Sequence, residues 1–188
     1  MIKINYIPNL LTLSRILASV LWLILFYFDF YIFCTLLILY CALSDFLDGW
    51  LARKINQSTI LGEALDPIAD KIFLITVLIS YVSDARANLI LVSLIIIREV
   101  FVSGMREILS KYGKSNSLKV TFLAKIKTSL QFFTILLLSF APIKFILSVG
   151  LSKEIIHYGF LLLLITTIIT IYTGYKYVIN GIIELKKL

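Results

Sequence analysis

The sequence predicts an all-α integral membrane protein with six transmembrane helices around a polar chamber that opens on the cytoplasmic side. Hydrophobic residues make up 60% of the 188-residue chain, charged residues make up 15%, and the mean hydropathy is +0.99. This composition is typical of polytopic membrane proteins. The apolar residues form six runs, each close to the length of one bilayer span. Many of the charged residues gather at one end of these runs, which indicates the chamber.

The six runs are the candidate helices. They cover about residues 8–28, 31–52, 64–83, 87–109, 123–143 and 155–182. Because the third run starts near residue 64, we expect Pro67 early in its helix, where a missing N–H costs little. The chain has no linker or internal repeat, so we expect residues 1–188 to form one domain, with residues 1–7 at the membrane surface.

The placement of charge gives the chamber and its orientation. In a chain that runs up and down through the bilayer, the charged ends of five runs lie on the same side of the membrane. Charged residues within the membrane are tolerated where they face a water-filled cavity. That side carries fifteen of the eighteen Lys and Arg residues, and the opposite loops carry only Arg86, Lys144 and Lys153. The positive-inside rule then puts the chamber and both termini in the cytoplasm of a multi-pass protein of the cell (inner) membrane. The same bias, together with attraction to anionic membrane lipids, explains the net charge of +7, so no nucleic-acid partner is expected.

The segment from Ser44 to Lys71, SDFLDGWLARKINQSTILGEALDPIADK, carries the predicted chemistry. Its four aspartates form two pairs, three and four residues apart, so each pair lies on one face of a helix. All-oxygen ligands favour hard cations, so the segment predicts a site for Mg²⁺ or Mn²⁺, with two ions because four carboxylates exceed the needs of one. The predicted metal ligands are Asp45, Asp48, Asp66 and Asp70.

Small residues accompany the carboxylates on these faces. Gly49, Ala52 and Gly62 leave room for a bulky ligand against the helix backbone, and Arg53 offers a planar set of donors to a phosphate. For Gly62 or Ala52 alone, close packing of membrane helices explains the residue equally well.

One sequence pattern runs from Asp45 to Asp70: D-x-x-D-G-x-x-A-R, then eight residues, then G-x-x-x-D-x-x-x-D. It resembles in full the signature of the CDP-alcohol phosphatidyltransferase family. The segments IPNLLTLSRI, LIIIREVFVSGMREI and AKIKTSLQ resemble the bacterial phosphatidylglycerophosphate synthases within it. From about Phe132 onward the sequence is too generic to assign.

The resemblance implies an activity and a role for each site residue. A phosphatidyl group passes from CDP-diacylglycerol to sn-glycerol 3-phosphate, giving phosphatidylglycerophosphate and CMP in phospholipid biosynthesis. Asp70 is the catalytic base as well as a member of the metal site, and the CDP group binds at Gly49, Ala52, Arg53 and Gly62. The family also implies a homodimer.

Basic residues supply the expected acceptor pocket. Arg98, Arg106, Lys125 and Lys127 suit the phosphate of glycerol 3-phosphate. The alternative for these cations is a topological role under the positive-inside rule. For Arg98 it is a local salt bridge to Glu99 or a partner on a neighbouring helix.

Asn9, Thr12 and Arg15 have two interpretations of equal weight. They either reach the nucleotide end of the chamber or serve in helix capping and snorkelling.

Two other functions stay open at this point. Another family acceptor, namely phosphatidylglycerol, serine or an inositol phosphate, would use the same signature. A divalent-cation transporter would also use membrane aspartates, but these carboxylates gather at one end of the helices and no acidic path continues across the bilayer.

Overall fold

The computed structural model describes residues 7–55, 60–112 and 122–186, with side chains except at 7–11, 46–55, 60–67 and 70. In these ranges the chain forms helices and no strand, which confirms the all-α prediction. The helices are α1 (Ile7–Tyr27), α2 (Tyr31–Ile55), α3 (Ile60–Ser83), α4 (Leu89–Lys111), α5 (Phe122–Phe140), α6 (Lys144–Val149) and α7 (Ser152–Leu185).

The helix bounds follow the apolar runs, with two differences. α3 begins at Ile60 and not near residue 64, so Pro67 lies deeper in the helix than expected. Pro67 is the eighth residue of α3, where its missing N–H removes one helical hydrogen bond. The second difference is the short helix α6, which ends at Gly150 in the left-handed conformation (φ +78°).

The long helices pack around a main apolar core, and a smaller apolar cluster lies between α4, α5 and α7. α1 packs against α2 and α3, α7 packs against α4 and α5, and α5 also contacts α2. Trp22 of α1 is fully buried, with the edges of Phe73 and Tyr81 of α3 against it. Its Nε1 donates a hydrogen bond to Ser80 Oγ over 3.1 Å, so this large side chain is both packed and satisfied.

The distribution of polar and apolar side chains suits a bilayer. Large apolar side chains such as Leu17, Leu43 and Ile97 are more than 60% exposed, while Thr134 and Thr166 are buried between α5 and α7. Two of the described helices, α5 and α7, are long and apolar enough to cross a membrane. Shorter apolar helical segments lie at Thr12–Tyr27, Tyr31–Asp45 and Lys71–Ser83.

The connection between α3 and α4 is closed by a buried arginine. Arg86 lies 4.5 Å from the centroid of the Tyr81 ring, pairs with Asp84 at 2.7 Å, and donates to Leu138 O at 3.2 Å. We call this region the Arg86 end. It lies at the opposite end of α3 from Asp66 and Asp70.

Candidate functional site

Both predicted carboxylate pairs lie on helices. Asp45 and Asp48 belong to the second half of α2, and Asp66 and Asp70 belong to the first half of α3. Because the backbone is helical at these positions, residues three or four apart lie on the same face, as predicted for each pair. Of the four carboxylate side chains, the structure describes only that of Asp45. The residues expected at the CDP group also belong to these helices, with side chains outside the described part: Gly49, Ala52, Arg53 and Gly62.

Asp45 is held by a residue of α1. Arg15 Nη1 donates to Asp45 Oδ1 over 3.0 Å, and the Asp45 side chain remains 50% exposed while that of Arg15 is 3% exposed. Thr12, one turn before Arg15, is buried, and Asn9 lies in α1 with its side chain outside the described part. Sequence reasoning named Arg15 and Asp45 separately and gave no sign of their contact. The pair brings α1 into the predicted metal region.

The donor chemistry at this end fits a hard divalent cation. No group of three or more His, Cys, Asp and Glu side chains suited to a metal occurs among the side chains that the structure describes. Asp45 uses Oδ1 for Arg15, and a carboxylate has further lone pairs for a cation. The side chains of Asp48, Asp66 and Asp70 lie outside the described part, so the assignment of the four aspartates to a divalent cation stays a prediction.

Two of the four predicted acceptor residues meet at one buried carboxylate. Glu99 Oε1 accepts a short hydrogen bond from Lys127 Nζ, and Arg98 Nη1 donates to the same oxygen over 3.2 Å. Gln131 Nε2 donates to it at 3.4 Å. The salt bridge between Arg98 and Glu99, which sequence reasoning kept as an alternative, is present. The sequence analysis did not identify Gln131 as a residue of the site. The one sequence feature that points to it is its position one turn after Lys127, on the same face of α5.

The other predicted acceptor residues are exposed. The Arg106 guanidinium lies 5.0 Å from the centroid of the Tyr177 ring, and that of Arg98 lies 5.7 Å from the same ring. Lys125, near the start of α5, is exposed. Arg98 also donates to Thr173 Oγ1 of α7 at 3.1 Å, so α7 supplies an aromatic ring and a hydroxyl to the basic cluster. We define the basic cluster as Arg98, Arg106 and Lys127 with Glu99.

One hydrogen bond joins the carboxylate helices to the basic cluster. Lys71 Nζ donates to Ser103 Oγ. Lys71 directly follows Asp70 on α3, and Ser103 lies on α4 between Arg98 and Arg106. The turn of α3 that carries Asp70 is thus tied to the basic stretch of α4.

An open groove of about 400 Å³ lies between α2 and α5, with Asp45 among the residues that line it. Its walls are mostly apolar, with Ile38 and Ala42 on α2 and Phe132 and Leu136 on α5. A groove of this kind, with a carboxylate among apolar side chains, suits an amphiphilic ligand.

Comparisons with known proteins show the family to which the chain belongs. The family profile described as CDP-alcohol phosphatidyltransferase matches residues 5–172. Three proteins named CDP-diacylglycerol–glycerol-3-phosphate 3-phosphatidyltransferase are similar to this chain. That of Rickettsia prowazekii is 36% identical over 178 residues, covering 91% of this chain and 92% of the relative. That of Wigglesworthia glossinidia brevipalpis is 36% identical over 150 residues (77% and 82%), and that of Pectobacterium atrosepticum is 29% identical over 176 residues (91% and 92%). The chain belongs to the CDP-alcohol phosphatidyltransferase family and is a membrane protein.

Proposed function

We propose that this protein transfers the phosphatidyl group of CDP-diacylglycerol to sn-glycerol 3-phosphate, giving phosphatidylglycerophosphate and CMP. The observation that carries the proposal is the Lys71 to Ser103 hydrogen bond, which ties the Asp70 turn of α3 to the basic cluster on α4. A phosphate-bearing acceptor needs such cations close to the carboxylates. The names of the similar proteins support the same donor and acceptor.

The carboxylates have two roles in the proposal. Asp45, Asp48, Asp66 and Asp70 hold two divalent cations, Mg²⁺ or Mn²⁺, and Asp70 also takes the proton of the attacking hydroxyl. The hydroxyl oxygen bonds to the lipid-side phosphorus, the bond from that phosphorus to the bridging oxygen breaks, and CMP leaves. When bound, the cations neutralise charge on the diphosphate and on the phosphoryl oxygens. Arg15 holds the Asp45 carboxylate from α1 at 3.0 Å.

The acceptor phosphate binds at the basic residues Arg98, Arg106, Lys125 and Lys127. Arg98 Nε is buried and donates to none of the described residues, so it has a donor for a ligand. Arg106 and Lys125 are exposed and reachable from water. Guanidinium groups match the geometry of phosphate oxygens, which favours this assignment over a purely topological role for these cations.

The lipid donor binds in the groove between α2 and α5, and the acceptor binds at the basic residues. The groove between α2 and α5 has apolar walls and Asp45 in its lining, which suits an acyl chain whose diphosphate lies at the carboxylates. Gly49, Ala52, Arg53 and Gly62 bind the CDP group. The start of α1, with Asn9 and the buried Thr12 and Arg15, closes its nucleotide end.

In the membrane, the whole chain forms one domain with six spans around a chamber. The candidate spans are α1 to α5 and α7. The surface segment expected at residues 1–7 lies outside the described residues except for Ile7, the first residue of α1. Two of these helices meet the length and apolarity of a span, and the excess of Lys and Arg at the carboxylate end favours a cytoplasmic chamber with both termini inside the cell. The resemblance to the family supports a homodimer.

The function is tested by CMP release from purified protein with CDP-diacylglycerol and Mg²⁺. Glycerol 3-phosphate is compared with serine, phosphatidylglycerol and an inositol phosphate. We expect release with glycerol 3-phosphate and not with the other acceptors. Release with another acceptor alone contradicts the assignment of the acceptor, and Mg²⁺ flux into sealed vesicles without CMP release supports a transporter instead.

A further inference from the structure

Glu99 is a buried carboxylate that two cations and a donor amide surround. It is 8% exposed and lies on α4, and its Oε1 accepts hydrogen bonds from Lys127, Arg98 and Gln131. Two of these donors belong to α5, so this one carboxylate oxygen joins the two helices that carry the predicted phosphate ligands. A carboxylate would repel a bound phosphate, so Glu99 suits the organisation of the cations and not direct contact with the acceptor.

Arg98 is fixed from a second direction by α7. Its Nη2 donates to Thr173 Oγ1 over 3.1 Å, and its guanidinium lies against the Tyr177 ring. The next residue after Thr173 is Gly174, where a Cβ atom would lie 2.7 Å from Arg98 Cγ. The side chain of Arg98 therefore lies directly against the backbone of α7, and its orientation is set by Glu99 on one side and by α7 on the other.

The charges of the basic cluster do not balance. Arg98, Arg106 and Lys127 supply three positive charges and Glu99 supplies one negative charge, which leaves a formal excess of two. Within the described part of the chain, no other carboxylate pairs with these cations. Lys127 and Glu99 are buried, Arg98 is largely buried and Arg106 is exposed, so the excess of positive charge lies partly at the surface, where an anion can reach it. A phosphate dianion would balance the two excess charges.

These contacts point to Glu99 as the residue that positions Arg98 and Lys127 for the acceptor phosphate. This inference rests on the proposed function. Glu99 holds the two long side chains in one arrangement before the acceptor arrives, so less conformational entropy is lost on binding. It does not touch the acceptor.

The variant Glu99→Gln distinguishes a positioning role of Glu99 from a purely electrostatic one, because the two roles predict opposite changes in the KM for glycerol 3-phosphate. If Glu99 acted only through its charge, its removal would strengthen attraction for phosphate and lower the KM for glycerol 3-phosphate. If Glu99 positions the cations, the KM for glycerol 3-phosphate rises about tenfold or more, because a small misplacement of a binding group has effects of about 10²-fold. We expect the KM for CDP-diacylglycerol to stay within about twofold of wild type and kcat at saturating acceptor to change little. An unchanged or lower KM for glycerol 3-phosphate overturns the positioning role.

A matched control lies at the Arg86 end. Asp84→Asn removes the partner of another buried arginine, Arg86, through an equally conservative change. We expect it to lower thermal stability while leaving both KM values unchanged. An increase in the KM for glycerol 3-phosphate in Asp84→Asn as well would show a general effect of lost stability and would overturn the specific role of Glu99.

Glu99→Asp keeps the test available if the Gln variant does not fold. It retains the negative charge but is one methylene shorter, so it cannot hold Arg98 and Lys127 in the same arrangement. The KM for glycerol 3-phosphate should rise again, and a wild-type value overturns the inference.

Wild-type protein that releases no CMP with glycerol 3-phosphate contradicts the proposed function and this inference with it. Wild-type release combined with an unchanged KM in the variants overturns the role of Glu99 alone.

Discussion

Arg15 Nη1 lies 3.0 Å from Asp45 Oδ1, so a buried arginine of α1 holds a half-exposed carboxylate of α2. The contact is part of how the first helix is joined to the second at the carboxylate end of the protein. It also fixes one oxygen of a residue that we propose as a metal ligand. The consequences of this contact can be measured separately from those of the carboxylates.

Arg15→Gln should raise the Mg²⁺ concentration needed for half-maximal activity. Loss of a residue that orients a metal ligand typically reduces metal affinity or activity about 10–100-fold. The assay is CMP release over a Mg²⁺ titration. Arg86→Gln is the matched control, since it replaces another buried arginine at the Arg86 end. It should lower stability and leave the Mg²⁺ dependence unchanged, and an equal shift in both variants would contradict the role of Arg15.

Asp70→Asn should reduce turnover by about 10²–10⁴-fold, the usual contribution of a positioned acid or base. The folded protein should remain intact, as judged by its helical circular dichroism and its elution in detergent. Asp29→Asn is the control, because Asp29 lies between α1 and α2 at φ +58°, a conformation that Asn also adopts readily. Near-normal turnover in Asp70→Asn would defeat its assignment as the base.

Ala42→Phe should obstruct the groove between α2 and α5. Overfilling an apolar site costs about 1–3 kcal/mol, so the KM for long-chain CDP-diacylglycerol should rise about tenfold. A CDP-diacylglycerol with six-carbon acyl chains should be affected much less. Leu17→Phe, on the exposed face of α1, serves as the control and should leave both KM values unchanged. Equal effects on long and short chains in Ala42→Phe would show that the groove does not hold an acyl chain.

Gly174→Ala should displace Arg98 and raise the KM for glycerol 3-phosphate several-fold, because the added Cβ would lie 2.7 Å from Arg98 Cγ. Gly104→Ala on α4 is its matched control, since a Cβ there meets nothing within 4 Å. It should retain wild-type kinetics and gain up to about 1 kcal/mol of helix stability. If Gly174→Ala behaves like Gly104→Ala, the close approach of Arg98 to α7 does not matter for the acceptor.

The sequence predicts the long helices well because each one carries an apolar run near the length of a span. It fails where that signal is weak. In the first turn of α3, Gly62 and Glu63 follow Ile60 and Leu61 and interrupt the apolar run, so the helix begins about four residues earlier than expected and Pro67 lies deeper in it. α6 is six residues long, which is too short for any periodicity to appear.

In the site too, the sequence predicts some features and not others. The carboxylates could be found from the sequence because their spacing within α2 and α3 is local. Glu99 contacts Lys127 and Gln131, which are 28 and 32 residues away, and Arg98 contacts Thr173, 75 residues away. Only the packing of α4 against α5 and α7 brings these side chains together, so no local pattern could have predicted the basic cluster with Glu99 at its centre.

The most direct test of the central claim follows the oxygen of the acceptor. CDP-diacylglycerol is incubated with the protein, Mg²⁺ and glycerol 3-phosphate that carries ¹⁸O in its free primary hydroxyl, and both products are weighed by mass spectrometry. We predict that the label appears in phosphatidylglycerophosphate, that CMP carries none, and that the two products form in equal amounts. Label in CMP, or CMP released without a labelled lipid, would contradict attack by the acceptor hydroxyl on the lipid-side phosphorus.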